Sequence, residues 1–177
     1  MGQLLTLLWD ICRLRRGPQD LPYSPQLLVI IAVVSLGLQL GIARVLGMQQ
    51  DTLGPGVLSL VLNLGALYLL LNLRGKQSRF VQTALAMLAC ALLFTLLSVP
   101  IVLLVGERPP LPDQISPLQA LLGLVSLPLL VWKIMVDAHI LRHSLDVPFL
   151  AGVVIAVLWL IAELALGAAA GGTAVAA

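Results

Sequence analysis

The sequence predicts an all-α polytopic membrane protein: a compact bundle of five transmembrane helices preceded by a short amphipathic interfacial helix. Three observations predict it. Of 177 residues, 60% are hydrophobic and only 10% are charged, against roughly 25% charged residues in a soluble domain; the mean hydropathy is +1.06. The apolar residues gather into five stretches, at about 26–46, 55–73, 80–105, 118–141 and 148–168. Each can cross a hydrocarbon core about 30 Å thick at about 1.5 Å per helical residue. Short connectors rich in Gly, Pro or charge separate the stretches. Bare backbone finds no partner in hydrocarbon, so such connectors join antiparallel helices. The chain thus reads as one membrane domain over 1–177, with no room for a soluble domain, and any function sits in the membrane or at its faces.

At the amino terminus, within 2–16, Gln3, Thr6, Asp10 and Arg13 recur at helical steps, with Leu4, Leu7, Leu8, Trp9 and Ile11 around the remaining circumference. This is an amphipathic helix too short to span. Followed by Arg13, Arg15 and Arg16, it suits either the membrane interface or docking on the bundle beside a basic flank. No positive charge precedes Leu4–Leu8 and no small-residue cleavage site follows, so the segment is not expected to be a secretory signal. Residues 17–25 hold Pro18, Pro22 and Pro25; prolines remove backbone donors and disfavour helix in the preceding residue, so this is a connector.

Among the spans, Pro100 and Pro128 interrupt the third and fourth, each freeing a carbonyl one turn earlier. The end of the chain, 169–177, is a flexible Ala/Gly-rich tail of low complexity. Counting basic residues beside the spans places Arg13, Arg15, Arg16, Arg74, Lys76, Arg79 and Arg142 on one side and Arg44 and Arg108 on the other. The positive-inside rule then puts the amino terminus in the cytoplasm and the carboxy terminus outside.

Ionisable residues inside a membrane are the first places to look for function. Lys133 and Asp137 are four apart on the fourth span and can pair, with Lys133 snorkelling toward the cytoplasmic headgroups, or they can belong to an ion or proton pathway. Glu163, in the fifth span, can pair with Arg44 near the external end of the first or can line a transport cavity as a lone acid. His139, His143 and Asp146 have a spacing that could present metal ligands, but no Cys partner or H-E-x-x-H arrangement accompanies them. They read better as a basic helix end among lipid headgroups. Gly37 with Gly41, and Gly152 with Ala156, are small-xxx-small pairs that admit a close helix neighbour from this chain or another. Ser35, Gln39, Asn63, Asn72, Gln82, Thr83, Thr95 and Ser98 read as interhelical hydrogen-bonding groups. Cys12 and Cys90 have no metal-type spacing and read as free thiols. No phosphate loop, G-x-S-x-G elbow or Cys/His signature occurs, which argues against an enzyme, and no cofactor is implied. Ten dispersed basic residues and a net charge of +2 also argue against nucleic acid as a partner.

The Pro-rich lead-in, the five-span plan and the stretch Trp132–Val153 (WKIMVDAHILRHSLDVPFLAGV) resemble the small bacterial members of the Yip1-like membrane protein family. That resemblance implies the fold class and topology and, through its bacterial members, a place in the inner membrane of a bacterium. Trafficking relatives carry an Asp-Leu-Tyr-Gly-Pro type motif before the first span. Here the nearest string, Asp51-Thr52-Leu53-Gly54-Pro55, lacks the Tyr and follows the first span, so it reads as a turn and carries no role across. The expected function is non-enzymatic: binding of a membrane-protein partner, a second copy or a lipid of the bilayer, or a role in assembly. The alternative is a small transporter or channel-like protein that uses the intramembrane Lys, Asp and Glu.

Overall fold

The computed structural model describes residues 2–47, 53–105 and 116–172. Six helices follow in order: α1 (Gly2–Cys12), α2 (Pro25–Val45), α3 (Leu53–Leu73), α4 (Phe80–Val105), α5 (Pro117–Leu145) and α6 (Phe149–Gly172). The last five are long and apolar enough to cross a membrane, and no strand occurs among the described residues. Residues 173–177 of the expected tail, and Arg108, Asp51 and Thr52, lie outside the described residues.

Local chemistry sets several helix ends. Ser24 precedes α2 and its Oγ accepts from the Leu27 amide at 3.2 Å, with Pro25 at the first helical position, where its missing N–H costs nothing. Ser116 starts α5 the same way. Its Oγ accepts from the Gln119 amide at 3.2 Å and the Gln119 side chain accepts from the Ser116 amide at 3.0 Å, a capping box before Pro117.

The fourth span outruns its sequence-based limit. Arg142 to Val147 reads as a loop, whereas α5 continues to Leu145 and leaves only a tight turn before α6. Residues of the connection between α3 and α4 supply the partners that its last carbonyls lack. Arg74 donates to Leu145 O at 3.3 Å and Arg79 to His143 O at 3.0 Å. Asp146 then ends the helix in the left-handed region, at φ 51°, a conformation Asp tolerates better than most residues.

Helix α4 sits at the centre, touching α1, α2, α3 and α5, and the antiparallel α5–α6 hairpin is the most extensively packed pair. One apolar cluster joins Ile11 and Cys12 of α1 to Leu85, Cys90 and Phe94 of α4 and to Val136 and Ile140 of α5. A second joins Leu67 and Leu71 of α3 to Ala84, Ala138, Leu141, Leu145 and Ala156. The outward faces of the spans remain apolar and exposed, at Val29, Val33, Val61, Leu69, Leu124, Val131 and Leu158 among others. Such faces match hydrocarbon rather than water.

The amino-terminal segment is docked on this bundle. Trp132 Nε1 donates to Cys12 O at 2.8 Å, His139 Nε2 to Arg16 O at 3.0 Å and Gln82 Nε2 to Leu21 O at 2.7 Å. Trp9 packs edge-on against Trp132, which meets Phe94 in the same way, with ring centroids 6.2 and 5.0 Å apart.

Candidate functional site

Between α2, α3, α4, α5 and α6 lies a cavity of about 450 Å³. Its walls are mostly apolar, with Leu36, Leu60, Leu64, Leu88 and Leu92 among them, and its charged corner is formed by Lys133, Asp137 and Glu163. Helix periodicity builds that corner. Lys133 and Asp137 stand one turn apart on α5, and Trp159 and Glu163 one turn apart on the facing helix α6. Lys133 Nζ donates to Asp137 Oδ2 at 2.8 Å and lies 3.6 Å from Glu163 Oε2; Trp159 Nε1 donates to Glu163 Oε1 at 3.2 Å. The Asp137 side chain is 8% exposed, Lys133 22% and Glu163 35%.

Counted along the helices, Lys133 is about 18 Å and Glu163 about 21 Å from the α5–α6 turn. Both therefore sit at a similar distance from that turn, and the lysine amine lies between Asp137 of its own helix and Glu163 of the neighbouring one. The expected pairing of Lys133 with Asp137 is present, and Glu163 adds a second carboxylate from the neighbouring helix. Glu163 likewise takes Lys133, not Arg44, as its partner.

The polar residues read as interhelical glue mostly serve elsewhere. Thr95 and Ser98 donate to Ala91 O and Phe94 O of their own helix at 2.9 and 2.8 Å, and Asn63 to Ser59 O at 2.9 Å, because the carbonyl one turn back is the nearest acceptor. These three, with Ser59, Ser35 and Gln39, line the cavity. The Ser35 hydroxyl is buried with no hydrogen-bond partner among the described residues. Of the eight, Asn72, Gln82 and Thr83 bond outside their own helix among the described residues: Asn72 Oδ1 accepts from Gln77 Nε2, Gln82 donates to Leu21 O, and the Thr83 hydroxyl meets Ser144 Oγ at 2.9 Å in the α4–α5 contact. A second cavity of about 320 Å³ shares Gln39, Gly56, Ser59 and Glu163 with the first.

The three weak metal candidates do not converge. His139 bonds Arg16 O, its ring stacks edge-on with His143 at 4.6 Å, and Asp146 turns to Lys76 Nζ at 2.6 Å and Arg79 Nη1 at 2.9 Å. Those two cations hold the Asp146 carboxyl at about 2, well below the usual carboxylate value. The small-residue pairs divide. A Cβ on Gly152 would meet Ala138 O at 2.6 Å, so this glycine and buried Ala156 admit α5, while Gly37 and Gly41 have nothing within 4 Å.

Sequence reasoning overlooked Trp159, although its four-residue spacing to Glu163 was readable. It overlooked Ser59, Ser144 and the Lys76–Asp146–Arg79 clamp, which depend on tertiary neighbours. Cys12 and Cys90, read separately, meet with their Sγ atoms 3.5 Å apart. No family model, curated protein or solved structure matches the chain.

Proposed function

We propose that this chain is a non-enzymatic inner-membrane protein that binds a lipid-class amphiphile inside its bundle. The observation that carries the proposal is the cavity of about 450 Å³ with apolar walls and a single charged corner. Ligand sites of that size, largely apolar with a few convergent polar groups, are the common form of small-molecule sites. The surrounding picture is an integral protein with its amino terminus in the cytoplasm, the basic side of the bundle at the inner leaflet, and α1 set at the interface. Membership of the Yip1-like family belongs to the same proposal and rests on the Trp132–Val153 stretch and the five-span plan.

Native mass spectrometry of protein extracted in mild detergent tests the reading. The wild-type chain should retain a lipid-sized adduct, and Ala91→Trp, which fills the cavity from α4, should lose it. A bare wild-type chain would overturn the proposal.

The same charged corner supports a second reading, a small transporter in which the cavity is a station on a path through the membrane. Flux into liposomes that depends on Asp137 and Glu163 would favour it.

A further inference from the structure

The charges in the cavity do not balance. Lys133 faces two carboxylates, Asp137 and Glu163, so the fully ionised corner carries a surplus of one negative charge. In a hydrocarbon environment an uncompensated charge is costly and draws a compensating one. An anionic headgroup would deepen the surplus, and the one ammonium present is already engaged by both acids. A proton taken up by the corner supplies that compensation while the cavity is empty; an occupant supplies it by carrying a positive charge of its own.

Glu163 is where it would be met. This carboxylate is the most exposed member of the triad, borders both cavities and accepts from Trp159 Nε1. Trp159 and Phe94 add aromatic rings to the lining, and aromatic rings beside a carboxylate are a recurrent means of recognising alkylammonium ions. Ser35 supplies an independent sign that the cavity is built for an occupant: its hydroxyl is buried there without a partner among the described residues, and a buried hydroxyl left unsatisfied costs stability.

We infer that the cavity takes a cationic amphiphile, its positive head held by Glu163 beside Trp159 and its apolar part against the leucines of α2, α3 and α4. The inference rests on the reading of the cavity as an amphiphile site and specifies the sign of the ligand's charge.

The test uses two ions of nearly the same shape and opposite charge, tetraphenylphosphonium and tetraphenylborate. Each is titrated calorimetrically into the full chain in nanodiscs of zwitterionic lipid, with empty nanodiscs as reference. Tetraphenylphosphonium should bind saturably, and Glu163→Gln, nearly isosteric and lacking the surplus charge, should weaken it by about tenfold or more. Tetraphenylborate should show no saturable binding. Saturable borate binding without phosphonium binding would overturn the inference and leave the amphiphile site standing. If neither ion binds while the wild-type chain still carries a lipid-sized adduct, the cationic specificity alone fails; if the adduct is missing too, both readings fail. Phosphonium binding that survives Ala91→Trp undiminished would place the ion outside the cavity and also overturn the inference.

Discussion

Two triads of opposite composition lie on the α5–α6 hairpin: one cation between two carboxylates in the cavity, and one carboxylate, Asp146, between Lys76 and Arg79 at the rim. The rim triad has a defined pH response. Its carboxyl is held at about 2 in the folded protein, below an unfolded value of about 3.9. Its contribution is therefore complete above the unfolded value and is lost only as pH falls through the folded one, so the clamp persists over the whole neutral range. A carboxyl-carbon NMR titration should give a midpoint near 2 for Asp146, moving toward about 3.9 when Lys76 and Arg79 are both replaced by Gln. In the cavity, Lys133→Met leaves two carboxylates without their cation and should destabilise the bundle by about 3 kcal/mol or more. Adding Asp137→Leu should restore much of that loss, both read by reversible unfolding in mixed micelles. At this scale the sequence singled out the acids and the lysine that the bundle brings together, but not which residue answers Glu163. That choice depends on which helix faces which, and no local pattern encodes it.

The hairpin α5–α6 and the helix α2 use the same small-residue spacing to different ends. Gly152 brings α6 within 2.6 Å, measured from its would-be Cβ, of Ala138 O, whereas Gly41 looks into open space. Gly152→Ala should accordingly lower unfolding stability by about 1–3 kcal/mol through overpacking. Gly41→Ala in the same assay should be neutral or slightly stabilising, since Ala favours helix over Gly by about 1 kcal/mol. If Gly41→Ala instead destabilises as much as Gly152→Ala, a neighbour from another chain occupies that face. The spans themselves were legible because composition and length suffice to define them. The end of α5 was not, because its continuation past Arg142 depends on Arg74 and Arg79, which arrive from the α3–α4 connection.

Across the whole molecule, residues 2–24 behave as a docked strap whose side-chain partners come from α4 and α5, at Gln82, Trp132 and His139. The strap buries its own Cys12 against Cys90 of α4, 0% and 1% exposed, so both thiols should react slowly with maleimide in the native state. Trp132→Phe removes one hydrogen bond of about 1 kcal/mol and should accelerate that labelling several-fold. The short helix was legible from its helical spacing, but the burial of Ile11 and Cys12 follows from a partner surface that only the assembled bundle provides. Making such a molecule on a ribosome raises a question of timing that the cavity triad answers. Glu163 on α6 is an expensive residue to release alone into lipid, whereas Lys133 on α5 already has Asp137 one turn away. Lys133 is the remedy for Glu163, and a turn as short as that between Leu145 and Phe149 would let α6 meet it as soon as it leaves the insertion machinery. The last two spans are thus predicted to insert as a pair, and a nascent chain carrying Lys133→Leu should hold α6 longer at the translocation channel, as read by site-specific cross-linking.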